Sequence, residues 1–549
     1  MTGHVLDVQR ERRVVPDTLA TALAEWADAI GSDHTLAVDE IRDLYARSTS
    51  PQGTRPLAVL KPGSLVEVQD VLRVARRHDI PIYPISGGKN WGLGDACAVT
   101  DDQVIVDLAR MNRIHEIDAN LGYAVVEPGV TQGQMHEHLR ANRIPLWFDA
   151  TGAGPDASII GNMMERGYGH TPLGDRFQHA TAFEVVLPDG RILRTGFSHY
   201  HSSQTAHVFK PGLGPSLDGL FTQSNLGIVT RATVWLMPQP PCFEAFAFSV
   251  AKDEQLGAVI EALRPLRMLG ILQSAVHIAN DLRVVSAHQR YPWDWTDGKT
   301  PLPRQVREKL RRKQGLGAWN VLGGLYGTKA TVRGGKKALR HALRFLARPR
   351  FINDRTLGLA ESAAALCGRV GIARSLVELM ETVKPAYVLL KGEPAAEHLE
   401  GMAWRNRSPR AGDSSDPLEK GHGFMWLSAV VPQTGAAAED LRRLVEPIFE
   451  EFGFEPLTTF IMTSARALVC PITVCYDKQN QDETARAQQC YSRLFDEVMI
   501  RGYHPYRAGI QSMSKLSQGS SVFWEVVREI KHALDPKDVV APGRYLPDC

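Results

Sequence analysis

A glycine-rich segment from Ser86 to Gly94 has the composition of a loop that binds an anionic group through its backbone. Four glycines fall within eight residues, after an apolar run, Ile80 to Tyr83, that predicts a buried strand. Glycine reaches positive φ at little cost, so such a loop can turn several N–H groups toward one phosphate. The spacing fits neither the G-x-G-x-x-G fingerprint nor a phosphate loop ending in Gly-Lys-Ser/Thr. An ordinary turn and a pyrophosphate-binding loop both remain open at this point.

Three later segments combine small residues and turn formers with neighbouring strands. Glu127-Pro128-Gly129 follows the predicted strand 123–126, and glycines punctuate residues 158–169 and 221–230. A ligand edge can approach such backbone closely because few side chains block it. These segments therefore extend the candidate ligand site.

Charged and titratable side chains, one directly after the segment 158–169 and a pair near the end of the chain, are candidates for chemistry. Tyr506-Arg507 places a permanent cation with a fork of donors beside a phenol. His170 has a side chain whose ordinary pKa lies near neutrality, so it is a candidate acid or base, and a structural histidine is the equal alternative. A buried arginine paired with a structural carboxylate is the alternative for Arg507.

The helices and strands that must position these residues follow two different patterns, one on each side of residue 238. Helices are predicted within residues 1–50 and after a capping box at Ser64, and the strands and glycine segments up to residue 236 indicate α/β units. Pro238-Gln239-Pro240-Pro241 predicts a domain boundary. Beyond it, helices (255–265, 436–452, 480–500) alternate with strands (386–390, 467–475), while 298–340 and 405–422 are predicted as surface loops.

Composition favours an ordinary cytoplasmic enzyme. The 549 residues are 44% hydrophobic and 23% charged, with a net charge of +2, which gives no reason to expect nucleic acid. The seven cysteines are scattered without a C-x-x-C pair, so neither a disulfide framework nor a metal site is predicted. No basic-then-apolar leader opens the chain, and no apolar run approaches the length of about 18 residues that crosses a membrane.

Taken together, the motifs resemble those of the FAD-dependent vanillyl-alcohol oxidase and para-cresol methylhydroxylase family. The matching pieces are Pro-Ile-Ser-Gly-Gly-Lys-Asn-Trp-Gly from residue 84, Val-Val-Glu-Pro-Gly-Val from 125, Gly-Asn-Met-Met-Glu-Arg-Gly-Tyr-Gly-His-Thr-Pro-Leu-Gly-Asp from 161, Glu-Val-Val-Leu-Pro-Asp-Gly from 184, Gly-Pro-Ser-Leu-Asp-Gly-Leu-Phe-Thr-Gln-Ser-Asn-Leu-Gly-Ile-Val from 214, Pro-Tyr-Arg at 505 and Ala-Pro-Gly-Arg-Tyr from 541. They lie in order across nearly the whole chain, although the match thins between residues 245 and 420.

The resemblance implies an α+β fold: a two-part FAD-binding domain (1–240), an α/β cap domain over the flavin (241–500) and a C-terminal segment (501–549) that returns to the FAD domain. It implies that FAD is the cofactor. The residues that the resemblance places around FAD are Ser86, Gly87, Gly88, Lys89, Asn90, Trp91, Gly92, Glu127, Pro128, Gly129, Ser158, Gly161, Asn162, Gly167, Glu184, Gly227, Ile228, Val229 and Arg544.

The implied activity is hydride transfer from an activated, benzylic-type alcohol or phenol to flavin N5, with oxygen or an electron carrier as acceptor. Tyr506 and Arg507 match groups that hold a phenolate, whereas Leu93 stands where phenol oxidisers have a second tyrosine. The family's acid/base aspartate falls near Gly152–Ala153, and Asp156 or Asp149 is the candidate substitute. The alternative is oxidative tailoring or cyclisation of a larger metabolite. A flavin-binding protein without turnover is a third reading, and a homodimer is one expected assembly.

The resemblance also bears on how FAD is held. Several family members link FAD covalently through a residue of the strand that corresponds to residues 421–428. Phe424 stands at the linking position and cannot form the bond, whereas His422 lies two residues away on the same face of a strand. The sequence therefore favours dissociable FAD, with His422 as the one suspected tether and both residues assigned to the substrate pocket.

Overall fold

The structure is a computed structural model that describes residues 15–359, 383–408, 414–516 and 521–546. It confirms the predicted α+β class: three sheets of four, five and seven strands are covered by helices, and a two-stranded ribbon joins two of these parts.

The first part holds the four-stranded sheet, in the order β1-β2-β4-β3, with β2, β4 and β3 parallel. Its third helix begins at Ser64, whose hydroxyl accepts the N–H of Glu67 at 3.2 Å, and it buries Val68, Val71 and Leu72 on one face. The strands are β1 (Thr35–Leu36), β2 (Val59–Leu60), β3 (Ile82–Ile85) and β4 (Val104–Asp107), and the helices are α1 (Pro16–Ile30), α2 (Asp39–Tyr45) and α3 (Leu65–Arg77).

The second part is an antiparallel five-stranded sheet in the order β5-β6-β10-β8-β9. Its strands are β5 (Ile114–Asp118), β6 (Tyr123–Val126), β8 (Ala180–Val186), β9 (Ile192–Arg194) and β10 (Ile228–Trp235), with helices α4 (Gln132–Ala141) and α5 (Ile159–Met164). The ribbon consists of β7 (Leu146–Trp147) and β11 (Met237–Pro238).

The third part is an antiparallel seven-stranded sheet in the order β15-β12-β14-β13-β17-β18-β16. Its strands are β12 (Cys242–Val250), β13 (Val276–Asn280), β14 (Trp319–Gly327), β15 (Arg350–Ile352), β16 (Gly423–Pro432), β17 (Leu457–Met462) and β18 (Ala467–Tyr476). Its helices are α6 (Leu256–Met268), α7 (Asp281–Ser286), α8 (Trp293–Thr296), α9 (Arg304–Lys313), α10 (Lys329–Ala342), α11 (Glu397–Glu400), α12 (Gly435–Glu451) and α13 (Gln481–Arg501), and α14 (Val522–Leu534) follows.

The two faces of this seven-stranded sheet have different roles. Side chains alternate along a strand, so Met425 and Leu427 of β16 enter the large apolar core beneath α12 and α13. Phe424 and Trp426 point the other way, where Phe424 joins a smaller apolar cluster with Trp91 of the glycine-rich loop. One face of the sheet is thereby turned toward that loop.

Two local predictions were wrong. Residues 298–340 are not a loop, because they contain α9, the central strand β14 and most of α10. Gly323 and Gly324 obscured the strand, yet both pack closely against the aromatic rings of Phe246 and Tyr326. Residues 386–390 are helical rather than extended, an ambiguity expected for a short apolar run.

We propose domain boundaries at the proline cluster and near residue 501. β11 ends at Pro238 and β12 begins at Cys242, so the sheet changes across the prolines. The last described segment returns to the first part: Ile82 N–H donates to the Val539 carbonyl at 2.9 Å, and Ala541 N–H donates to the Ile82 carbonyl at 2.7 Å. Among the described helices, none has the length and apolar character needed to cross a bilayer.

Candidate active site

A cavity lies at the carboxyl end of β3 and reaches the facing side of β16; together with the open solvent at its mouth it encloses about 1170 Å³. It brings together many of the residues predicted to bind FAD, from four separate parts of the sequence. The predicted residues that line it are 86–91, Leu93, Ser158, Gly161, Asn162, 227–229, Arg507 and Arg544.

The glycine-rich loop presents unpaired backbone hydrogen-bond donors to this cavity. Within the described residues, the N–H groups of Gly87, Gly88 and Lys89 donate to no protein acceptor. Gly88 has φ +69°, and a Cβ there would lie 2.7 Å from the Cβ of Ala96. A row of free N–H groups at a backbone that tolerates no side chain fits a pyrophosphate.

Asp95 fixes the loop from inside. Its carboxylate accepts from the Ser48 hydroxyl at 2.7 Å and the Thr49 N–H at 2.7 Å, and the Thr49 hydroxyl accepts the N–H of Gly92 at 2.9 Å. Despite these hydrogen bonds, burial raises the pKa of Asp95 to about 6. Gly92 itself does not line the cavity and serves this support.

Lys89 is paired within the protein. Its Nζ lies 2.6 Å from the Asp416 carboxylate and 5.0 Å from the centre of the Trp91 ring. The loop therefore contributes backbone donors to the cavity, while this lysine links the loop to the segment before β16.

The turn at Glu127-Pro128-Gly129 does not line the cavity but contacts Ser158, which does. The Ser158 hydroxyl donates to the Pro128 carbonyl at 2.6 Å and accepts the Gly161 N–H at 2.8 Å. The Glu127 carboxylate accepts from the Arg113 N–H at 2.9 Å. Within this structure these residues hold the start of α5 in place and do not reach the cavity.

Glu184 and Gly167 also lie outside the cavity. The Glu184 carboxylate is buried and pairs with Arg194 at 2.9 Å and with Arg231 at 3.6 Å. A Cβ on Gly167 would meet the Asn162 side chain at 2.3 Å, so glycine there leaves room for a residue that does line the cavity.

Arg544 is anchored by groups that sequence reasoning missed. Its guanidinium donates to the Tyr83 hydroxyl at 2.7 Å and forms an ion pair with Glu165, which also accepts from the Tyr545 hydroxyl at 2.6 Å. Burial disfavours the charge, but Glu165 raises the pKa of Arg544 above its usual value. A cation is thereby fixed at the cavity wall by the returning C-terminal segment.

Arg507 presents an unsatisfied donor at the cavity. Its Nε atom is buried and has no hydrogen-bond partner among the described residues. Tyr506 does not line the cavity; its ring packs edge-on against Tyr168 with centroids 5.5 Å apart, and burial raises the pKa of its phenol. A buried guanidinium donor without a partner fits a bound group that accepts a hydrogen bond.

Part of the cavity wall is apolar. Leu93 and Ala153 both line the cavity, and Leu93 is almost fully buried. Asp156 is exposed and outside the cavity, while Asp149 is buried in an ion pair with Arg176 at 3.2 Å. The structure brings neither carboxylate to the site.

His170 lies outside the cavity lining, in a cluster of imidazoles. Its Nδ1 lies 3.1 Å from the Ala150 carbonyl, and its ring stacks on His277 with centroids 4.6 Å apart. Burial lowers the pKa of His170, so the ring is neutral at pH 7.

The strand expected to carry a flavin link presents different residues from those predicted. Phe424 is fully buried against Gly92, and His422 is buried with its Nδ1 unpartnered; neither lines the cavity. Burial lowers the pKa of His422 to about 4. Trp426, two residues beyond Phe424, is the residue of β16 that reaches the wall. No described group of three or more histidine, cysteine or acidic side chains is arranged to hold a metal ion.

The comparisons with known proteins agree with this geometry. The family model described as an FAD binding domain matches residues 56–196. The chain is 37% identical to 1'-carboxy-chondrochloren decarboxylase of Chondromyces crocatus over 96% of this chain and 97% of that protein. It is 32% identical to the flavoprotein subunit of 4-cresol dehydrogenase [hydroxylating] of Pseudomonas putida, over 95% and 94%. The crystal structure of p-cresol methylhydroxylase with substrate bound matches with a TM-score of 0.86 and 31% identity, over 97% and 98% of the chains.

The fold and the cavity define an FAD-dependent oxidoreductase with a cap over its cofactor site. At these identities over nearly the whole length, the chain belongs to the vanillyl-alcohol oxidase and para-cresol methylhydroxylase family. The predicted cofactor, FAD, is confirmed.

Gly88→Val is expected to weaken FAD binding strongly, because a branched Cβ at φ +69° strains the backbone and pushes Ala96 away. The measurement is the dissociation constant of FAD from flavin fluorescence on reconstitution. Gly334→Val is the control, since a Cβ at Gly334 meets no atom within 4 Å. Equal affinities for the two variants would contradict a phosphate-binding role for the loop.

Acid precipitation is expected to release the flavin, because Phe424 and Trp426 have no nucleophile to form a link. The measurement is the division of flavin absorbance between supernatant and pellet. Flavin retained with the pellet would refute dissociable FAD, and its loss in His422→Ala would then identify the tether.

Asp95 should make stability depend on pH in a defined direction. The pKa of Asp95 rises from 3.8 to about 6 on folding. The contribution of Asp95 to the free energy of unfolding is therefore fully present below pH 4 and is lost as the pH rises through 6. Relative to wild type, Asp95→Asn should therefore gain roughly 2–3 kcal/mol between pH 4 and pH 7. Thermal unfolding midpoints across this range test it, with the exposed Asp156→Asn as the control. A pH-independent difference between Asp95→Asn and wild type would be inconsistent with the raised pKa.

Proposed function

We propose that this enzyme oxidises a small aromatic or similarly activated alcohol or phenol at a benzylic-type carbon. When bound, FAD supplies an electron-accepting ring that takes up a hydride. The observation that carries the proposal is the buried, unpartnered Nε of Arg507 at the cavity wall. Two relatives of the chain, named as a 4-cresol dehydrogenase and a p-cresol methylhydroxylase, support this class of substrate.

Arg507 is suited to stabilise negative charge that develops as the substrate reacts. Its guanidinium is always charged, and the donor is already fixed in a site with little water, so no reorganisation is needed at the moment of reaction. The neutral phenol of Tyr506 lies beside it, with the Arg507 guanidinium carbon 5.4 Å from the centre of the ring. We assign Arg507 as the catalytic group and Tyr506 as a neighbour that positions it.

A second candidate is oxidative tailoring of a larger metabolite. Leu93 and Ala153 favour it, because neither of these side chains can donate a hydrogen bond to a phenolate or act as an acid or base. The relative named as a 1'-carboxy-chondrochloren decarboxylase supports the same alternative. The structure of the product separates the two. Oxidation of an alcohol and oxidative cyclisation both remove two hydrogens, but cyclisation forms a new ring that NMR detects, whereas loss of carbon dioxide also lowers the mass.

The proposal includes an electron acceptor, an assembly and a location for the enzyme. Oxygen or an electron carrier accepts the electrons, and a homodimer and a cytoplasmic location are part of the proposal. Anaerobic mixing of the yellow enzyme with alcohols, phenols and aromatic acids is the decisive experiment. At least one compound is expected to bleach the visible absorbance of the oxidised flavin. If no compound in the panel bleaches the flavin, the proposal is overturned.

Arg507→Ala is expected to raise the barrier to flavin reduction by about 2–4 kcal/mol, the range for loss of one preorganised donor. The measurement is the anaerobic bleaching rate at saturating substrate, with retained FAD binding as a check. Arg304→Ala, an exposed arginine of the cap, is the control. Reduction of Arg507→Ala at the wild-type rate would remove Arg507 from the mechanism.

Leu93→Tyr tests the apolar part of the cavity wall. A phenol at this position adds a donor for a phenolate, so the preference should move toward para-alkyl phenols. The comparison is the ratio of bleaching rates for a para-alkyl phenol and a benzylic alcohol in the two proteins. Wild-type enzyme that already prefers simple para-alkyl phenols would show that Leu93 does not limit phenolate binding.

A further inference from the structure

Arg283, in the short helix α7 of the cap, is a cation whose side chain has no acceptor among the residues that the structure describes. Its hydrogen bonds there come from its backbone: the N–H donates to the Asn280 side chain at 2.8 Å, and the carbonyl accepts from the Ser286 hydroxyl at 3.0 Å. The side chain retains some accessible surface, yet protein surrounds it closely enough that burial lowers its pKa.

The nearby carboxylate of Asp281 is already fully engaged. Arg307 and Arg311 lie 2.6 Å and 2.8 Å from its oxygens, and Asp281 is completely buried. A charge in such surroundings is costly unless it is paired or hydrogen-bonded. Arg307 and Arg311 meet that condition, whereas Arg283 does not meet it with any residue of the described part of the chain.

Two histidines next to Arg283 also have unused polar atoms. His277 of β13 and His398 of α11 each have a buried Nε2 atom with no partner in the described part of the chain. The ring of His170 stacks on both, with centroids 4.6 Å and 6.3 Å away. Burial, and after it the neighbouring charges, including that of Arg283, lowers the pKa of both His277 and His398. Both rings are therefore neutral and leave the guanidinium uncompensated.

This group lies directly behind the wall of the cofactor cavity. A Cβ on Gly152 would lie 3.5 Å from the His398 side chain, and the next residue, Ala153, lines the cavity. The Ala153 carbonyl accepts from the indole of Trp91 at 3.3 Å. His277 follows Val276, whose side chain is in the core, so alternation along β13 turns His277 toward the same side of the cap sheet as Trp426.

We propose that Arg283, together with His277 and His398, binds a carboxylate of the substrate at the junction of the cap and the FAD domain. The single positive charge of Arg283 is compensated by one carboxylate, whereas a phosphate would leave excess negative charge among neutral imidazoles. The imidazole nitrogens hydrogen-bond hydroxyl groups or water beside it. This inference rests on the proposed function in that it names the substrate of the same site: an aromatic compound that also has a carboxylate.

The test compares 4-hydroxyphenylacetate with its neutral amide, 4-hydroxyphenylacetamide, on the FAD-loaded enzyme. Dissociation constants are read from the change in flavin absorbance, without turnover. Wild-type enzyme should bind the acid at least tenfold more tightly, and Arg283→Met should weaken acid binding by roughly 10- to 100-fold, the loss for one charged hydrogen-bonded contact. Binding of the amide should change by less than twofold, and Arg283→Lys should restore part of the preference.

A stability comparison distinguishes a ligand-binding arginine from a structural one. Without ligand, Arg283→Met should unfold at a midpoint at least equal to that of wild type, because it removes an unpaired charge. Arg307→Met, which breaks a pair with Asp281, should unfold at a lower midpoint. A fall in Arg283→Met like that in Arg307→Met would overturn the proposal.

Equal binding of acid and amide by wild type, or an unchanged preference in Arg283→Met, would overturn it as well. Binding is measured without turnover, so the two proposals fail independently. An enzyme that oxidises none of the compounds refutes the proposed function, whereas the ratio of acid binding to amide binding still decides the carboxylate site.

Discussion

The loop around Gly92 is held by hydrogen bonds from three distant parts of the chain, and the site depends on this arrangement. The Gly92 carbonyl accepts from the Trp426 N–H of the cap and from the Gln511 side chain, each at 3.1 Å. Its N–H is taken by Thr49, and the Leu93 carbonyl accepts from the Ile510 N–H at 3.1 Å. The end of the loop is fixed by these bonds, so the N–H groups of Gly87, Gly88 and Lys89 remain available to a ligand.

The anion-binding character of this loop could be predicted from the sequence, because it depends on the spacing of glycines within one short segment. Closely spaced glycines after a buried strand indicate a backbone that a phosphate can approach, whatever the rest of the chain does. The N-cap at Ser64 is equally local, since the Glu67 N–H donates to the Ser64 hydroxyl. The second hydrogen bond of a capping box is replaced, because the Glu67 carboxylate accepts from the N–H of Gly63.

The groups that complete the site were not predictable in the same way. Asp95, Glu165 and Trp426 acquire their roles from contacts with residues far away in sequence, and no pattern within a single segment marks them. The same holds for Arg283, which differs from Arg307 only in what the fold places beside it. The strand β14 was missed for a related reason: its glycines match their aromatic neighbours, and that match is visible only after folding.

The wall of the cofactor cavity is built from both early and late parts of the chain. Tyr83 and residues 86–91 emerge first during synthesis, whereas Arg507, Ile510 and Arg544 follow more than four hundred residues later. The strand β3 also lacks its partners Val539 and Ala541 until then. At a ribosomal rate of about 5–20 residues per second, this gap lasts roughly 20–90 seconds. During that interval the edge of β3 and the glycine-rich loop lack contacts that hold them in the folded protein, so the complete cofactor cavity exists only after the last fifty residues have been made.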